Sequence, residues 1–214
     1  MPQFDRSTNP MSPRDGVAAY ERARYAHLDQ RVLNALEHRL IARLIGSIGI
    51  ARPTLLNAPC GFGRFADIVE KKTARRVFLD LHPGMVRRCN STLGPRGFNI
   101  VNGSLRNLPF DDAAFDVVMN IRFFHHYFEQ SDRRTMLAEL ARVSKRFVIL
   151  TYYQRSWIHS LNKKYARKKN RIVLLERAAF ETELAEAGLR VVSAHRVAPT
   201  VHAQTFLLLE KTGG

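Results

Sequence analysis

The sequence predicts an α/β fold in which seven strands form a mostly parallel sheet, with an antiparallel last strand and helices on both faces. Three observations support it. Five short apolar runs alternate with helix-compatible segments. The first two runs flank a glycine-bearing turn in the stretch 54–80, which reads TLLNAPCGFGRFADIVEKKTARRVFLD. The last two runs, residues 191–197 and 205–210, have only a short turn between them and therefore form a hairpin.

Length and composition fit one domain with a full hydrophobic core. The chain has 214 residues, of which 45% are hydrophobic. Residues 1–16 are rich in Pro, Ser, Asn and Asp and are predicted to be a flexible tail without a secretory signal. Residues 17–214 form the predicted domain. It opens with N-terminal helices over 17–49, where apolar residues recur at three- and four-residue steps.

The charge and the cysteines indicate the class of partner and the compartment. Lys and Arg number 34 against 19 Asp and Glu, a formal net charge of +15. Such a charge attracts RNA, an anionic membrane surface or a phosphorylated substrate, and a generically basic protein is the alternative. Cys60 and Cys89 have no partners spaced for zinc, so we expect no metal site. We expect a cytoplasmic protein, with peripheral contact at the inner membrane surface as a further option.

The stretch 54–80 is predicted to be the opening βαβ unit of a nucleotide-type binding fold. Strands are expected at residues 55–58 and 76–79, with a helix between them. Gly61 and Gly63 let the backbone turn sharply and approach a ligand, because neither has a Cβ. The helix after the turn directs free N–H groups toward whatever the turn holds. Asp80 ends the second strand, where it can accept two hydrogen bonds from a ribose diol.

The later elements continue the alternation. Helices are expected over residues 85–93, 132–143 and 176–187, with Pro83 opening the first and Gly188 ending the last. Strands are expected at residues 98–101, 115–119 and 147–152. Residues 120–127 follow the fourth strand at its carboxyl end, which is where open α/β sheets place their chemistry.

Taken together, these motifs resemble the class I S-adenosylmethionine-dependent methyltransferases, in particular the small branch with a ubiquinone-biosynthesis-type signature. LLNAPCGFGRF is similar to the first motif of that family and VFLDLHPGMV to the second. NGSLRNLPFDDAAFDVVMN is similar to the stretch that links strands three and four. The resemblance covers residues 54–211 and implies a Rossmann-like fold, S-adenosyl-L-methionine as the cofactor, and methyl transfer as the reaction.

The resemblance also implies a set of cofactor-binding residues in the glycine turn and at the strand ends: Asn57, Ala58, Pro59, Cys60, Gly61, Gly63, Asp80, Leu81, Ser104, Leu105 and Asn120. Two of these depart from the family pattern. Asn57 stands where an acid is usual, so it accepts from the methionine ammonium without charge assistance. Ser104 stands where an Asp often contacts the adenine amino group, and a hydroxyl accepts more weakly. Both departures bear on cofactor affinity rather than on fold.

Nicotinamide dinucleotide binding is the competing interpretation. Residues 61–66, GFGRFA, also fit the G-x-G-x-x-G/A fingerprint. Tyr165 and Lys169 have the Tyr-x-x-x-Lys spacing of short-chain dehydrogenases. The second match has little weight, because a lysine four residues after a tyrosine is common in so basic a segment. The short-chain enzymes also space their glycines differently.

Candidates for chemistry lie after the fourth and fifth strands. Methyl transfer is an in-line displacement, for which the nucleophile must be positioned and any proton removed. His125 or His126 could be the general base, because imidazole titrates near neutral pH, or one of them could pack against the next helix and shape the cofactor pocket. Substrate-binding candidates are the nearby cationic and aromatic residues Arg122, Tyr127, Tyr152, Tyr153, Trp157, Lys163 and Lys164. For Tyr152 and Tyr153, core packing or a hydroxyl on solvent is an equal alternative.

Residues 154–171, QRSWIHSLNKKYARKKNR, are strongly basic and contain no acid. In the resembled family this region commonly forms a substrate lid, which here would cap a phosphorylated or carboxylated acceptor. The segment could instead lie on an anionic membrane or follow an RNA backbone with its aromatic rings stacked on bases. A solvated charged face over a core-facing stripe is the simplest alternative.

Three functions are therefore open. The first is a methyltransferase for an anionic small-molecule or a lipid- or saccharide-linked acceptor. The second is an RNA methyltransferase that uses residues 154–171, and the third is a non-catalytic S-adenosylmethionine-binding partner protein. RNA methyltransferases with amino-group targets often carry an Asn/Asp-Pro-Pro-aromatic loop after strand four. Residues 120–123 read NIRF, which argues against base N-methylation of that type.

Overall fold

Helices and strands alternate through the residues that the computed structural model describes, which are 28–127, 129–155, 173–197 and 203–213. In chain order these elements are α1 (Leu28–Ser47), β1 (Thr54–Asn57), α2 (Ala66–Lys72), β2 (Arg75–Asp80), α3 (Pro83–Leu93), β3 (Asn99–Asn102), β4 (Phe115–Asn120), α4 (Gln130–Val143), β5 (Ser144–Tyr153), α5 (Arg177–Glu186), β6 (Leu189–Arg196) and β7 (Gln204–Lys211). Two short 3-10 helices, Gly94–Arg96 and Phe124–His126, follow α3 and β4.

The strands form one sheet in the order β3-β2-β1-β4-β5-β7-β6. Strands β1 to β5 pair in parallel, whereas β7 lies antiparallel between β5 and β6. The predicted mostly parallel sheet with an antiparallel last strand is therefore confirmed. From β1 the chain runs outward to β2 and β3, and it then returns to place β4 on the other side of β1. The carboxyl ends of β1 and β4 thus flank the switch point at which such sheets bind ligands.

Side chains on alternate strand positions enter two separate apolar clusters, one on each face of the sheet. Leu55 of β1 packs on the face covered by α1, α2 and α3. Its neighbour Leu56 packs on the face covered by α4 and α5. Burial on both faces explains why the central strands read as continuous apolar runs rather than as alternating ones.

The predicted elements after residue 50 agree with these bounds to within a few residues. Pro83 opens α3, and the His82 side chain caps it by accepting a hydrogen bond from the Gly84 N–H. Gly188 follows α5 with a φ of +72°, a conformation that favours glycine at a helix end.

Several predictions concern residues outside the described ranges. The tail over residues 1–16 and the start of the N-terminal helices lie there, and the described part of that helical region is α1. The basic segment is described only at Gln154 and Arg155, so Trp157, Lys163 and Lys164 lie outside as well. Within the described residues, no helix is both long enough and apolar enough to cross a membrane.

Candidate functional site

The turn after β1 is held between the two neighbouring strands by its backbone. The Ala58 N–H donates to the Met119 carbonyl at 2.9 Å, and the Cys60 N–H donates to the Leu79 carbonyl at 2.8 Å. The peptide bond between Ala58 and Pro59 is cis. The predicted cofactor-binding residues 58–60 are therefore anchored at the ends of β4 and β2, at the carboxyl edge of the sheet.

The two glycines of the turn are required for different reasons. Gly63 has a φ of +84°, and a Cβ there would lie 2.6 Å from Cδ1 of Leu93. Gly61 has a φ of +57°, and a Cβ built there meets no atom within 4 Å among the described residues. Gly63 therefore permits close packing of the turn on α3, whereas Gly61 borders open space in which a ligand can approach the backbone.

The helix after the turn begins three residues beyond Gly63. Helix α2 starts at Ala66, and the Ala66 N–H is already bonded to the Gly63 carbonyl at 2.9 Å. Since that donor is used within the turn, it is not free to bind a ligand.

Asp80 links the end of β2 to this turn. Its carboxylate accepts hydrogen bonds from the Gly61 N–H at 2.8 Å and from the His82 N–H at 2.9 Å. Burial raises the pKa of Asp80, and the two backbone donors partly offset this effect. Each carboxylate oxygen keeps a second lone pair, so the group can still accept from a ribose diol. The neighbouring Leu81 is 49% exposed and offers an apolar surface beside it.

The strand β3 contributes a residue that sequence reasoning missed. The Asn102 amide donates to the Asp80 and Leu81 carbonyls at 2.9 and 3.1 Å, and so holds the backbone around the acid. Ser104 follows β3, and its hydroxyl accepts from the Arg106 N–H at 3.2 Å. Leu105 is buried in the core cluster, so it can present only backbone atoms to a ligand.

Asn57 and Asn120 end β1 and β4, side by side, and both are buried. The Asn120 Nδ2 donates to the Ala58 carbonyl at 2.7 Å. The Oδ1 atoms of both residues have no hydrogen-bond partner among the described residues. Buried acceptors without donors are rare and costly. Because Asn57 pairs with Met119, the Asn57 and Asn120 side chains leave opposite faces of the sheet. Each Oδ1 is therefore a separate candidate acceptor for the ammonium group of S-adenosyl-L-methionine.

The loop after β4 brings two of the predicted chemical residues together. His125 is buried, and its ring lies 4.5 Å from that of Tyr153 at the end of β5 and 3.9 Å from that of His126. His126 is exposed. The backbone carbonyl of His125 also accepts from the Val173 N–H at 2.9 Å, which ties this loop to the chain entering α5. His125 and Tyr153 thus form one wall of the carboxyl edge.

The remaining tyrosine candidates occupy different surroundings. Tyr127 is half-buried, packs at 4.7 Å on Phe123, and has a pKa raised by burial. Tyr152 lies in the core, where its ring packs 4.8 Å from that of Phe180 on α5. Its hydroxyl reaches Oε1 of Gln154 at 3.3 Å. Since side chains alternate along a strand, Tyr152 and its neighbour in sequence face opposite sides of β5.

Cys60 and Cys89 are free thiols in contact. Their Sγ atoms are 3.9 Å apart, and the Cys89 Sγ lies 3.3 Å from the Gly61 carbonyl. The hydrogen bond with Cys89, followed by burial, raises the pKa of Cys60 well above its usual value. The two thiols pack the underside of the turn against α3, and Cys60 is protonated near neutral pH.

A buried acid on α1 was also missed. Glu37 is fully buried, and its carboxylate pairs with Arg64 after the glycine turn and with the Nε of Arg122, at 2.6 Å, after β4. Leu33 and Ile41, four residues before and after Glu37, are both buried. That four-residue spacing was the available signal, because it places the acid on the core-facing side of the helix.

The strands that carry this site overlap a region that matches a known protein family. Residues 56–150 match the family model described as a methyltransferase domain. The match and the sheet order together agree with the predicted Rossmann-like fold and with the predicted methyltransferase domain over this part of the chain.

Methyltransferases from mycobacteria are among the proteins similar in sequence to this chain. The phthiotriol/phenolphthiotriol dimycocerosates methyltransferase of Mycobacterium tuberculosis is 28% identical over 166 residues, which are 77% of this chain and 54% of that protein. The Mycobacterium leprae protein of the same name is 31% identical over 112 residues, 51% of this chain and 40% of the relative. The chain therefore spans about half the length of the curated relatives that it matches.

Solved structures share the fold at low sequence identity. Magnesium protoporphyrin IX methyltransferase from Synechocystis PCC 6803 with bound SAH superposes with a TM-score of 0.75 at 15% identity, over 92% of this chain and 96% of that one. An S-adenosylmethionine-dependent methyltransferase from Clostridium acetobutylicum has a TM-score of 0.70 at 11% identity, over 92% and 97%. At such identities the likeness establishes the fold alone.

Proposed function

We propose that the protein transfers a methyl group from S-adenosyl-L-methionine to an anionic, lipid-linked acceptor, because residues 56–150 match a methyltransferase-domain family model. The observation that carries the cofactor assignment is the carboxyl edge of β1, β2 and β4. There an open glycine turn, a carboxylate and two buried acceptors without donors lie on adjacent strands.

Each part of that edge matches one part of the cofactor. Asp80 holds the ribose diol, and Leu81 gives the adenine an apolar surface. Asn57 and Asn120 end adjacent strands, and each offers an Oδ1 without a donor among the described residues, so either can accept from the methionine ammonium. When bound, the cofactor supplies an electrophilic methyl group, so the protein needs only to position the acceptor and remove any proton.

His125 is the candidate general base. It lies on the loop after β4, buried against Tyr153, where an acceptor would meet the carboxyl edge. For a hydroxyl acceptor, the imidazole would take the proton as the oxygen attacks the methyl carbon. His126 is less suited to this role, because it is exposed whereas His125 is buried.

The names of the relatives and the charge of the chain support the acceptor class. The relatives act, by name, on phthiotriol and phenolphthiotriol dimycocerosates, which are lipids. The net charge of +15 favours an acceptor that is anionic or is presented at an anionic surface. Together they favour a lipid-linked anionic acceptor over a neutral soluble one.

An RNA methyltransferase is the second candidate function, which the same charge of +15 favours. Methyl-labelled S-adenosyl-L-methionine, incubated with the protein and either lipid extract or total RNA, separates the two. We expect label in the lipid phase, absent with a Gly61→Asp variant. Label in RNA would favour the second candidate. Cofactor binding with no transfer to any acceptor would favour a non-catalytic partner protein.

A further inference from the structure

Glu37 joins three segments at the carboxyl edge of the sheet. It lies on α1, and its carboxylate binds Arg64, which follows the glycine turn, and Arg122, which follows β4. The arginines are 27 and 85 residues from Glu37 in sequence. One buried acid therefore fixes α1 to both loops that border the proposed methionine end of the cofactor.

Arg122 is held in an unusual position by two contacts. Its φ is +57°, a conformation that side-chain-bearing residues seldom adopt and that often marks functional positions. Its N–H donates to the Thr151 hydroxyl at 2.6 Å, and its Nε donates to Glu37 at 2.6 Å. Within the described residues, its two terminal amino nitrogens make no hydrogen bond, although the side chain is only 12% exposed.

The surroundings of Arg122 complement an α-amino acid. Asn120 lies two residues earlier, and its Oδ1 and that of Asn57 lack donors. Asn57 pairs with Met119 and so lies on the α1 face of the sheet, where Glu37 holds Arg122. An acceptor without a donor and a guanidinium with unused donors therefore share that face. A zwitterion with an ammonium and a carboxylate satisfies both at once, and the planar guanidinium suits a carboxylate.

We propose that Glu37 is a positioning residue that holds Arg122 so that the guanidinium binds the carboxylate of the cofactor's amino-acid end. Glu37 occupies Nε, which leaves the two terminal amino groups for the ligand. This inference rests on the proposed function, because it assumes that the carboxyl edge takes S-adenosyl-L-methionine or its product.

A purely structural ion pair is the competing explanation, and the chain contains a matched example. Glu183 on α5 binds Arg133 on α4 through two hydrogen bonds of 2.6 and 2.9 Å, and both side chains are buried. That pair joins two helices on the opposite face of the sheet from α1. It therefore controls for the loss of a buried ion pair that has no part in the proposed site.

The test compares two ligands by calorimetry on the full chain. S-adenosylhomocysteine has the amino-acid end, whereas 5′-methylthioadenosine keeps the nucleoside and sulfur but lacks that end. Glu37→Gln should lower the affinity for S-adenosylhomocysteine about tenfold, because it disturbs a charge-assisted contact. The affinity for 5′-methylthioadenosine should change by less than about twofold. Glu183→Gln should leave the ratio of the two affinities unchanged.

Arg122 supplies a second, independent variant if Glu37→Gln proves unstable in urea. Arg122→Met should lose the preference for S-adenosylhomocysteine, and Arg122→Lys should restore part of it because the charge returns. Equal weakening of both ligands, or unchanged affinities in the Glu37 and Arg122 variants, would overturn the inference. If the unaltered protein binds neither ligand, the proposed function itself fails; if it binds both but the variants show no selectivity, only this inference fails.

Discussion

The Asp80 carboxylate accepts a hydrogen bond from the Gly61 N–H at 2.8 Å, and this contact joins the end of β2 to the turn after β1. The two residues are 19 positions apart in sequence. The proposed ribose acceptor and the turn that approaches the cofactor are therefore one connected unit. Substitutions at either residue should therefore lower cofactor affinity more than they lower the stability of the fold.

Gly61→Asp should abolish S-adenosylhomocysteine binding. The new side chain would fill the open space beside the turn and would repel the methionine carboxylate. Isothermal titration calorimetry measures the loss directly. Gly97→Asp is the matched control, because Gly97 also has a positive φ and open space around its Cβ position but lies after α3, before the start of β3. Unchanged affinity in Gly61→Asp, with the control also unchanged, would refute this site.

Asp80→Asn should lower cofactor affinity by about tenfold or more, because an amide replaces one carboxylate acceptor with a donor. The comparison is Asp116→Asn, at the opposite end of β4, where the carboxylate likewise accepts from backbone and hydroxyl donors of Thr54. Calorimetry with S-adenosylhomocysteine on both variants should show a loss for Asp80 only. Equal losses would mean that the effect is general destabilisation of the sheet.

The pH dependence of stability should show the raised pKa of Asp80. Burial raises its folded-state pKa above the ordinary value near ~3.9. The folded protein then holds this proton more tightly than the unfolded chain does. The contribution of Asp80 to stability is therefore fully present below the unfolded pKa and is lost as pH rises through the folded pKa. Urea unfolding between about pH 3 and 7 should show the unaltered protein losing stability relative to Asp80→Asn; a constant difference would contradict the raised pKa.

His125→Asn should lower kcat about a hundredfold and leave cofactor affinity nearly unchanged, as expected for loss of a general base. His126→Asn should change kcat little, because that ring is exposed. Steady-state assays with saturating labelled cofactor, and with lipid extract as the acceptor, would compare both variants with the unaltered protein. A His125→Asn variant that loses cofactor affinity with full turnover at saturation would instead show that this ring shapes the cofactor pocket.

Glu183→Ala should destabilise the protein by about 3 kcal/mol or more, because it leaves the buried Arg133 without its carboxylate. Glu186→Ala breaks the Arg134–Glu186 pair between the same two helices, where the side chains are 49% and 44% exposed. That change should cost less than about 1 kcal/mol. Urea denaturation at neutral pH compares the two, and similar costs would contradict the assigned difference in burial.

The sequence could predict most of the fold because local patterns determine it. Apolar runs and helical spacing located the strands and helices after residue 50, and Gly61, Gly63 and Asp80 lie at the carboxyl edge where the motif placed them. The start of α2 at Ala66 was not predictable in this way, because the residues before it form a turn whose length depends on packing against α3.

Long-range contacts explain what the sequence could not show. Glu37 finds its partner Arg122 across 85 residues, and no local pattern identifies one arginine among many. The places of Tyr152 and Tyr153 depend on the register of β5 against its neighbours, which sets which side chain enters the core. The contact between Cys60 and Cys89 likewise appears only once α3 packs beneath the turn.

Titration of the full chain with S-adenosylhomocysteine, beside a parallel titration with NADH, tests the cofactor assignment most directly. We predict saturable one-to-one binding of S-adenosylhomocysteine and no heat of binding for NADH. Saturable NADH binding, or no uptake of S-adenosylhomocysteine at any concentration that calorimetry can reach, would contradict the assignment of the carboxyl edge.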